Sequence, residues 1–189
     1  MATKTAQQKS ESGSAKSKST PSRARPKKGS SRSTRQTKRA STKPMDAIRL
    51  LKDDHKQVKA WFQQFDKSDD DAKKQELATQ ICQALSVHAQ IEEEIFYPAA
   101  YEALDEDGDD LLDEANVEHA TAKNLIAEIE QMTVGEPLFD AKVKVLGEYI
   151  DHHVQEEETE LFPECKDAGM DMKALGEALA ARKAELMAA

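Results

Sequence analysis

Between residues 45 and 187 the apolar positions recur in steps of three and four, which is the spacing of amphipathic helices. Four long segments with this pattern cover about residues 45–66, 71–103, 110–132 and 138–166, and a shorter one covers about 171–187. The connections between them are short, and short connections favour antiparallel neighbours. The pattern therefore predicts an all-α fold: an antiparallel up-down-up-down four-helix bundle with a short C-terminal helix.

Each long segment breaks its apolar face with a histidine, where leucine or valine would be the ordinary residue. In the second and fourth segments a glutamate follows four residues later, one turn along the same face. A buried carboxylate without a partner is costly or becomes protonated, and a metal cation removes that cost. The candidate metal ligands are His55, His88, Glu92, His119, His153 and Glu157. The alternative is a buried network of His–Glu hydrogen bonds without metal.

The two halves of the bundle repeat one arrangement. HAQIEEEIFYP at 88–98 and HVQEEETELFP at 153–163 share His at the first position, Glu at the fifth and Pro at the eleventh. The repeat predicts a pseudo-twofold bundle whose halves face a shared centre. The two prolines, Pro98 and Pro163, should kink or end regular helix near their positions.

The donor types limit the choice of metal. Four imidazoles are too rich in nitrogen for calcium or magnesium, and the absence of thiolates from the set disfavours copper(I) and structural zinc. Imidazole with carboxylate suits iron, manganese or zinc, and two carboxylates able to bridge suit two metal ions. Ferritin-like bundles also hold two irons, but they use Glu-x-x-His, which the repeated His-x-x-x-Glu does not match.

Four separated motifs carry a resemblance to a known family. They are DDH at 53–55, HAQIEEEIFYP at 88–98, VEH at 117–119 and HHVQEEETELFP at 152–163. With these motifs in order, residues 45–185 resemble the hemerythrin-like, or HHE cation-binding, domain. The resemblance implies a four-helix bundle with two non-haem iron ions, with manganese or zinc as alternatives. It also implies the six candidates as ligands, Glu92 and Glu157 as the bridging carboxylates, and dioxygen or another small oxidant as partner.

Two positions depart from the pattern of oxygen-carrying hemerythrins. Those proteins place a second histidine four residues after the one in the third helix, where this chain has Lys123. They place the last carboxylate five residues after its histidine, whereas here both Glu157, at four, and Glu158, at five, are acidic. The repeat equates Glu157 with Glu92, so Glu157 is the predicted ligand. The missing histidine favours oxygen, redox or iron sensing, storage, or oxygen and peroxide chemistry over bulk oxygen transport. Whether the protein is an enzyme stays open.

Other polar residues near the motifs have plainer interpretations. His152 and Glu156 are predicted to form a surface pair, and Cys82 to be a small core residue. Glu93 and Glu158 are expected to be solvated or to lie behind the ligands. A hydrogen bond from Tyr97 to the centre is an alternative that the sequence does not favour.

The charge of the chain changes sharply near residue 45. Residues 1–44 have a net charge of +12 and, beyond Met1, no large apolar residue, whereas residues 45–189 have a net charge of −21. This composition predicts a disordered basic tail at 1–44 and a bundle at 45–187. Such a tail can bind DNA phosphates without reading sequence. The alternative function is therefore a nucleic-acid-associated protein acting through its tail, with the bundle as a regulatory metal-binding module.

The presence or absence of targeting signals in the sequence limits where the protein is expected to be located. There is no apolar run long enough to cross a membrane and no apolar secretory segment at the N-terminus. Two distant cysteines suit a reducing compartment, so a cytoplasmic, intracellular protein is expected. Organelle targeting by the basic tail is the alternative.

Overall fold

The computed structural model describes residues 46–188, so the prediction of a disordered tail at 1–44 lies outside the described residues. The α-helices are α1 Ala47–Lys67, α2 Asp71–Ile91, α3 Tyr97–Tyr101, α4 Glu106–Glu130, α5 Phe139–Glu156, α6 Phe162–Asp167 and α7 Met172–Leu186. Two π-helical turns, Glu92–Phe96 and Glu157–Leu161, join α2 to α3 and α5 to α6. No strand occurs between residues 46 and 188, and the predicted all-α fold is confirmed.

Four long helical rods form the bundle. They are α1, α2 with α3, α4, and α5 with α6, and each packs against its neighbours in the order α1, α2, α4, α5. The fifth predicted segment, α7, lies against α1, α2 and the first π turn. The four-helix bundle with a short C-terminal helix is therefore confirmed.

Aspartates begin three of the helices in the same way. The side chains of Asp46, Asp70 and Asp171 accept hydrogen bonds from the backbone N–H three residues later, at 2.9, 2.9 and 3.0 Å. These bonds satisfy N–H groups that have no partner within the helix. They fix where α1, α2 and α7 begin, and hence which residues face the bundle interior.

The two prolines change the helix just before them. A proline ring clashes with the carbonyl four residues back and cannot donate a hydrogen bond. The chain responds with one extra residue in the turn: Tyr97 donates its N–H to the carbonyl of Glu92, and Phe162 donates to that of Glu157. Bonds to the fifth residue back define a π turn. Regular α-helix therefore ends just before the two glutamates predicted to bridge the metals.

A layer of buried polar residues lies between two apolar clusters. One cluster includes Leu51, Ile91, Leu112, Leu161 and Leu179. The other includes Val58, Leu85, Ala122, Phe139 and Ile150. Along every rod the histidine stands between a residue of the first cluster and a residue of the second. The fold thus brings the four histidines to one level of the bundle, with apolar side chains packed above and below them.

The cysteines belong to this apolar packing. Cys82 and Cys165 are buried and free, and burial raises the pKa of each thiol to about 12. The interpretation of Cys82 as a core residue is confirmed. Within the described helices, none is both long and apolar enough to span a bilayer.

Candidate metal centre

Four imidazoles meet in two pairs at the centre of the bundle. The Nε2 atoms of His55 and His88 lie 2.9 Å apart, and those of His119 and His153 lie 3.1 Å apart. None of these residues is more than 7% exposed. We call His55 with His88 the first half-site and His119 with His153 the second half-site. Each half-site takes one histidine from each of two sequential rods, as the repeat predicts.

The two buried glutamates connect the half-sites. Glu92 Oε2 lies 3.2 Å from the Nε2 atom of His88 and 3.5 Å from that of His119. Glu157 Oε2 lies 3.3 Å from His55 Nε2 and 3.6 Å from Nε2 of the histidine four residues before it. Each carboxylate thus touches one histidine of its own rod and one of the other half of the chain. This is the placement that a bridging carboxylate requires.

A further carboxylate faces the outer ring nitrogen, Nδ1, of every one of these histidines. The pairs are His55–Glu158 at 3.0 Å, His88–Asp54 at 3.5 Å, His119–Glu93 at 3.1 Å and His153–Glu118 at 2.8 Å. We call these four acids the outer carboxylates. A carboxylate at Nδ1 holds the ring proton there and leaves the Nε2 lone pair facing inward. His55, His119 and His153 make this hydrogen bond, whereas His88 Nδ1 lies 3.5 Å from Asp54 without one. Nε2 of all four imidazoles faces the centre, as it would in a metal ligand.

The arrangement fits cations better than it fits a hydrogen-bond network without metal. In the pair of His119 and His153 both Nδ1 atoms are bonded to acids, so two Nε2 lone pairs face each other across 3.1 Å and repel unless a cation lies between them. Both carboxylate oxygens of Glu92 and Oε2 of Glu157 are buried without a hydrogen bond. Buried polar atoms of this kind need a partner, and a bound cation supplies one. The donors present are thus suited to hold metal.

In the absence of bound metal, the two buried glutamates have pKa values shifted in opposite directions. Burial, with the neighbouring Glu157, raises the pKa of Glu92 well above its ordinary value. Burial also acts to raise the pKa of Glu157, but the imidazoles of His153 and His55 outweigh it and lower that pKa. Burial, together with the charge of His153, lowers the pKa of His119 to about 3. Burial acts to lower the pKa of His153, but Glu157 and Glu118 outweigh it and raise that pKa. In the absence of metal, Glu92 thus favours its protonated form and His119 its neutral form, while Glu157 and His153 favour the charged forms.

The hydroxyl of Tyr97 also reaches the centre, contrary to what the sequence favoured. It donates to Glu157 Oε1 at 2.8 Å and lies 3.4 Å from His119 Nε2, and the residue is 1% exposed. In an α-helix, a residue five places after Glu92 would lie about 140° away from it around the axis. The π turn puts that residue on the same face instead. Pro98, which imposes the π turn, was the signal in the sequence.

The outer carboxylates occupy regular positions beside the candidate ligands in the sequence. Asp54 and Glu118 each directly precede the histidine of α1 or α4, inside the DDH and VEH motifs. Glu93 and Glu158 each directly follow a bridging candidate. For Glu93 and Glu158 the structure supports the position behind the ligands, although both are also partly exposed. The positions of Asp54 and Glu118 behind the ligands were not predicted from the sequence.

The family of the chain follows from comparison with known proteins. A profile of the hemerythrin HHE cation-binding domain matches residues 46–165. The chain belongs to the hemerythrin HHE family. The match contains all six candidate ligands and all four outer carboxylates, and it ends before α7 begins. The resemblance stated from the four motifs is confirmed.

Two individual proteins give further comparisons for this HHE domain. A solved structure of an HHE cation-binding domain-containing protein from Mycobacterium kansasii aligns with a TM-score of 0.64 at 22% identity, over 76% of this chain and 88% of that one. This similarity shows the shared fold. A protein named DNA nickase, from Nostoc sp. strain PCC 7120, is 34% identical over 118 residues, which is 62% of this chain. The matched part is only 32% of that relative's length.

Lysines stand behind three of the outer carboxylates of the HHE domain. Lys52 Nζ lies 3.1 Å from Glu158, Lys183 of α7 pairs with Asp54, and Lys123 Nζ donates to both oxygens of Glu93 at 2.6 and 2.5 Å. The pairing of Lys123 explains how this chain uses the position where oxygen-carrying hemerythrins have a histidine. Its ammonium group orients an acid behind His119 instead of offering a ligand.

The fourth outer carboxylate, Glu118, has a different neighbour. Among residues 46–188 no lysine or arginine pairs with it, and its second contact is His152 Nε2 at 3.9 Å. His152 is exposed and lies 3.3 Å from Glu156. The predicted surface pair of His152 and Glu156 is therefore present. Glu118 is left as the least neutralised acid behind the centre.

A small cavity adjoins the four histidines of the HHE domain. Its volume is about 20 Å³, and apolar side chains such as Val58, Leu85, Ile126 and Ile150 form much of the rest of its wall. A cavity needs roughly 10–15 Å³ on this measure to hold one water molecule. The space beside the centre therefore has room for a water or a diatomic molecule.

Proposed function

We propose that this HHE domain is a non-haem di-iron protein that binds or reacts with a small oxidant, in oxygen or redox sensing or in oxygen and peroxide chemistry. The observation that supports it is the set of six buried donors in two linked half-sites, with three carboxylate oxygens lacking any partner. The first half-site with Glu92 and Glu157 forms one group whose donor atoms all lie within 4.8 Å of one another. The second half-site forms such a group with Glu92.

The proposed ligands are the six residues inferred from the sequence. His55, His88, His119 and His153 would offer Nε2, and Glu92 and Glu157 would be the bridging carboxylates. Mixed imidazole and carboxylate donors suit iron, which when bound supplies redox chemistry with oxygen species. The surrounding chain orients the imidazoles through the outer carboxylates and excludes bulk water through the two apolar clusters.

The size of the cavity supports a small oxidant as the partner. A space of about 20 Å³ beside the histidines has room for dioxygen or a molecule of similar size. Reversible bulk oxygen transport is not proposed, because Lys123 stands in place of a histidine and pairs with Glu93. Sensing, iron storage and oxygen or peroxide chemistry all use the same centre.

Reaction of the loaded protein with oxidants tests this proposal. Full-length protein is loaded with ferrous iron without oxygen, desalted, and mixed with dioxygen or hydrogen peroxide. We expect a near-ultraviolet absorption band to form as the centre is oxidised, and no band in a zinc-loaded control. A protein that holds zinc tightly and iron not at all would identify the centre as a structural zinc site.

A second candidate function is association with DNA. The relative named DNA nickase and the net charge of +12 over residues 1–44 both favour it. In this proposal the tail lies on phosphates while the bundle, with a net charge of −21, stays away from them. The bundle would then serve as a regulatory metal-binding module.

The tail and the bundle can be separated in a binding experiment. We expect full-length protein to shift duplex DNA at low salt, with little preference for sequence and a steep loss of affinity as salt rises. Residues 45–189 alone should not shift it and should load iron equally. Equal DNA binding by both proteins would assign the contact to the bundle, and binding by neither would remove this candidate.

A further inference from the structure

The two halves of the chain differ in the residues that directly precede the ligand histidine and the bridging glutamate. In the first half these residues are Val87 and Ile91, and both are buried. The repeat puts His152 and Glu156 at the same two positions of the second half. His152 is exposed, and Glu156 is partly exposed. The second half thus carries two metal-ligating side chains where the first half carries apolar ones.

These two side chains meet Glu118, the outer carboxylate behind His153. Glu118 is 7% exposed, and its Oε2 atom bonds to His153 Nδ1 at 2.8 Å. Its other oxygen, Oε1, accepts no hydrogen bond from residues 46–188 and lies 3.9 Å from His152 Nε2. Glu156 Oε1 lies 3.3 Å from the same nitrogen. We call Glu118, His152 and Glu156 the surface cluster, and one oxygen of a buried carboxylate faces it without a partner.

The spacing and charge of the surface cluster suit one divalent cation. Bonds from a transition-metal ion to imidazole nitrogen or carboxylate oxygen are about 2.0–2.2 Å long, so two donors of one ion lie roughly 3–4.4 Å apart, depending on the angle between the bonds. The separations of 3.3 and 3.9 Å lie in this range, and one donor atom of each residue lies within 4.8 Å of the others. No lysine or arginine in the described part of the chain pairs with Glu118 or Glu156. The negative charge is therefore left for a bound cation.

A small cavity connects the surface cluster with the metal centre. Its volume is about 10 Å³, and its wall includes Glu118 and Glu156 of the surface cluster together with His153 and Glu157 of the centre. A cavity of this size is at the lower limit for a single water molecule, so at most one small species fits there. Glu114 adds another carboxylate to the wall. The space between the surface cluster and the second half-site is thus small and acidic.

We propose that the surface cluster is a third binding site, for one exchangeable divalent transition-metal cation, and that it passes ferrous iron to the second half-site. One imidazole with two carboxylates suits ferrous iron, zinc or manganese. Glu118 is the link, because one of its oxygens faces the surface cluster and the other bonds to His153. The delivery of iron rests on the proposed di-iron function, whereas cation binding by the surface cluster does not. An ion held by three donors beside solvent exchanges readily, so it is lost on desalting and the centre alone retains iron.

The alternative is a solvated pair of His152 and Glu156, at which zinc would bind weakly to the histidine alone. The chain has five histidines, and the other four are buried in the centre, so the ring signals of His152 in NMR spectra report on the surface cluster. In full-length protein titrated with Zn²⁺, we expect these signals to shift as one zinc ion per chain binds there.

Variants of α5 separate a chelate from a lone histidine. E156Q should need at least about tenfold more zinc for the same shift at His152, because even the loss of an acid behind a ligand commonly costs about 10–100-fold in affinity. E148Q removes an exposed acid of the same helix that pairs with Lys144, and it should titrate like the wild type. Equal zinc affinity at His152 in the wild type and E156Q, or no shift at all in the wild type, would overturn the proposed site.

The rate of iron loading tests the delivery to the centre. Full-length protein without metal is mixed anaerobically with ferrous iron, stopped at intervals with a chelator, desalted and analysed for iron. We expect H152A and E156Q to fill several-fold more slowly than the wild type and E148Q, and to reach the same final iron content. Equal rates in all four proteins would overturn the delivery role. A wild type that retains no iron would overturn the di-iron proposal and the delivery role together, while the zinc titration still decides whether the surface cluster binds a cation.

Discussion

The first and second half-sites are built from the same parts in the same order, but they differ in charge. Behind the first half-site, both outer carboxylates are paired with lysines: Glu158 with Lys52, and Asp54 with Lys183. Behind the second, Glu118 has no such partner among the described residues. The repeat thus copies the position of the ligands, while single side chains around them set the electrostatics.

This comparison gives the two metal positions different expected properties. A carboxylate at Nδ1 makes the imidazole a stronger donor, and a lysine behind the carboxylate weakens that effect. The second half-site therefore presents more negative charge to its metal. We expect ferric iron to be favoured at the second half-site and ferrous iron to persist longer at the first.

The largest expected effect comes from removing what the half-sites share. Glu92→Ala and Glu157→Ala should each strongly reduce the iron content of both half-sites, because each glutamate touches a histidine in each. Glu156→Ala is the matched control from the same rod and should leave the iron count unchanged. Iron analysis after anaerobic loading and desalting measures this. Equal losses in Glu156→Ala and Glu157→Ala would show that the wrong face of α5 has been assigned to the centre.

A smaller effect should distinguish the half-sites through their outer carboxylates. Glu118 approaches His153 Nδ1 to 2.8 Å, whereas Asp54 lies 3.5 Å from His88 Nδ1 and is shared with Lys183. Removing an acid of this kind commonly costs about 10–100-fold in metal affinity. We expect Glu118→Gln to reach that range and Asp54→Asn to fall below it, as measured by competition with a metal chelator. Equal losses would mean that the two halves are equivalent.

The smallest effect concerns α7, which lies outside the matched family domain. Lys183 reaches the centre only through Asp54, while Lys173 on the same helix pairs with Glu177 at 3.9 Å on the surface. Lys183→Met should speed loss of iron from the first half-site by a few-fold at most, and Lys173→Met should not. Chelator-driven iron release, followed optically, compares the two. Identical rates of iron release from both variants would show that α7 packs against the bundle without affecting the metal centre.

The helices and the six candidate ligands could be predicted from the sequence, because both follow from the spacing of three and four residues along a single helix. A histidine on an apolar stripe stays on that stripe once the helix forms, so His55 and His119 needed no knowledge of the partners. Tyr97 was misjudged because its direction depends on the π turn that Pro98 imposes. That turn moves every later side chain of the rod around the axis.

The outer carboxylates and Lys183 illustrate a different limit. Several acids stand next to one another in the sequence, and the rotation of one rod against another decides which of them faces a histidine. The spacing of residues along a single helix does not determine that rotation. Glu93 and Glu94 show the point: Glu93 bonds to His119, while the next residue pairs with Arg182 on α7. The ion pair of Lys183 with Asp54 joins residues 129 positions apart, so it required the docked position of α7.

The number of iron ions bound per chain is the decisive measurement for a di-iron centre in this protein. Full-length protein is loaded with ferrous iron under anaerobic conditions, desalted, and analysed for metal and protein together. We expect two irons per chain in the wild type and none in a variant in which His55, His88, His119 and His153 are all alanine. A wild type that retains no iron, or that retains only zinc, would contradict it.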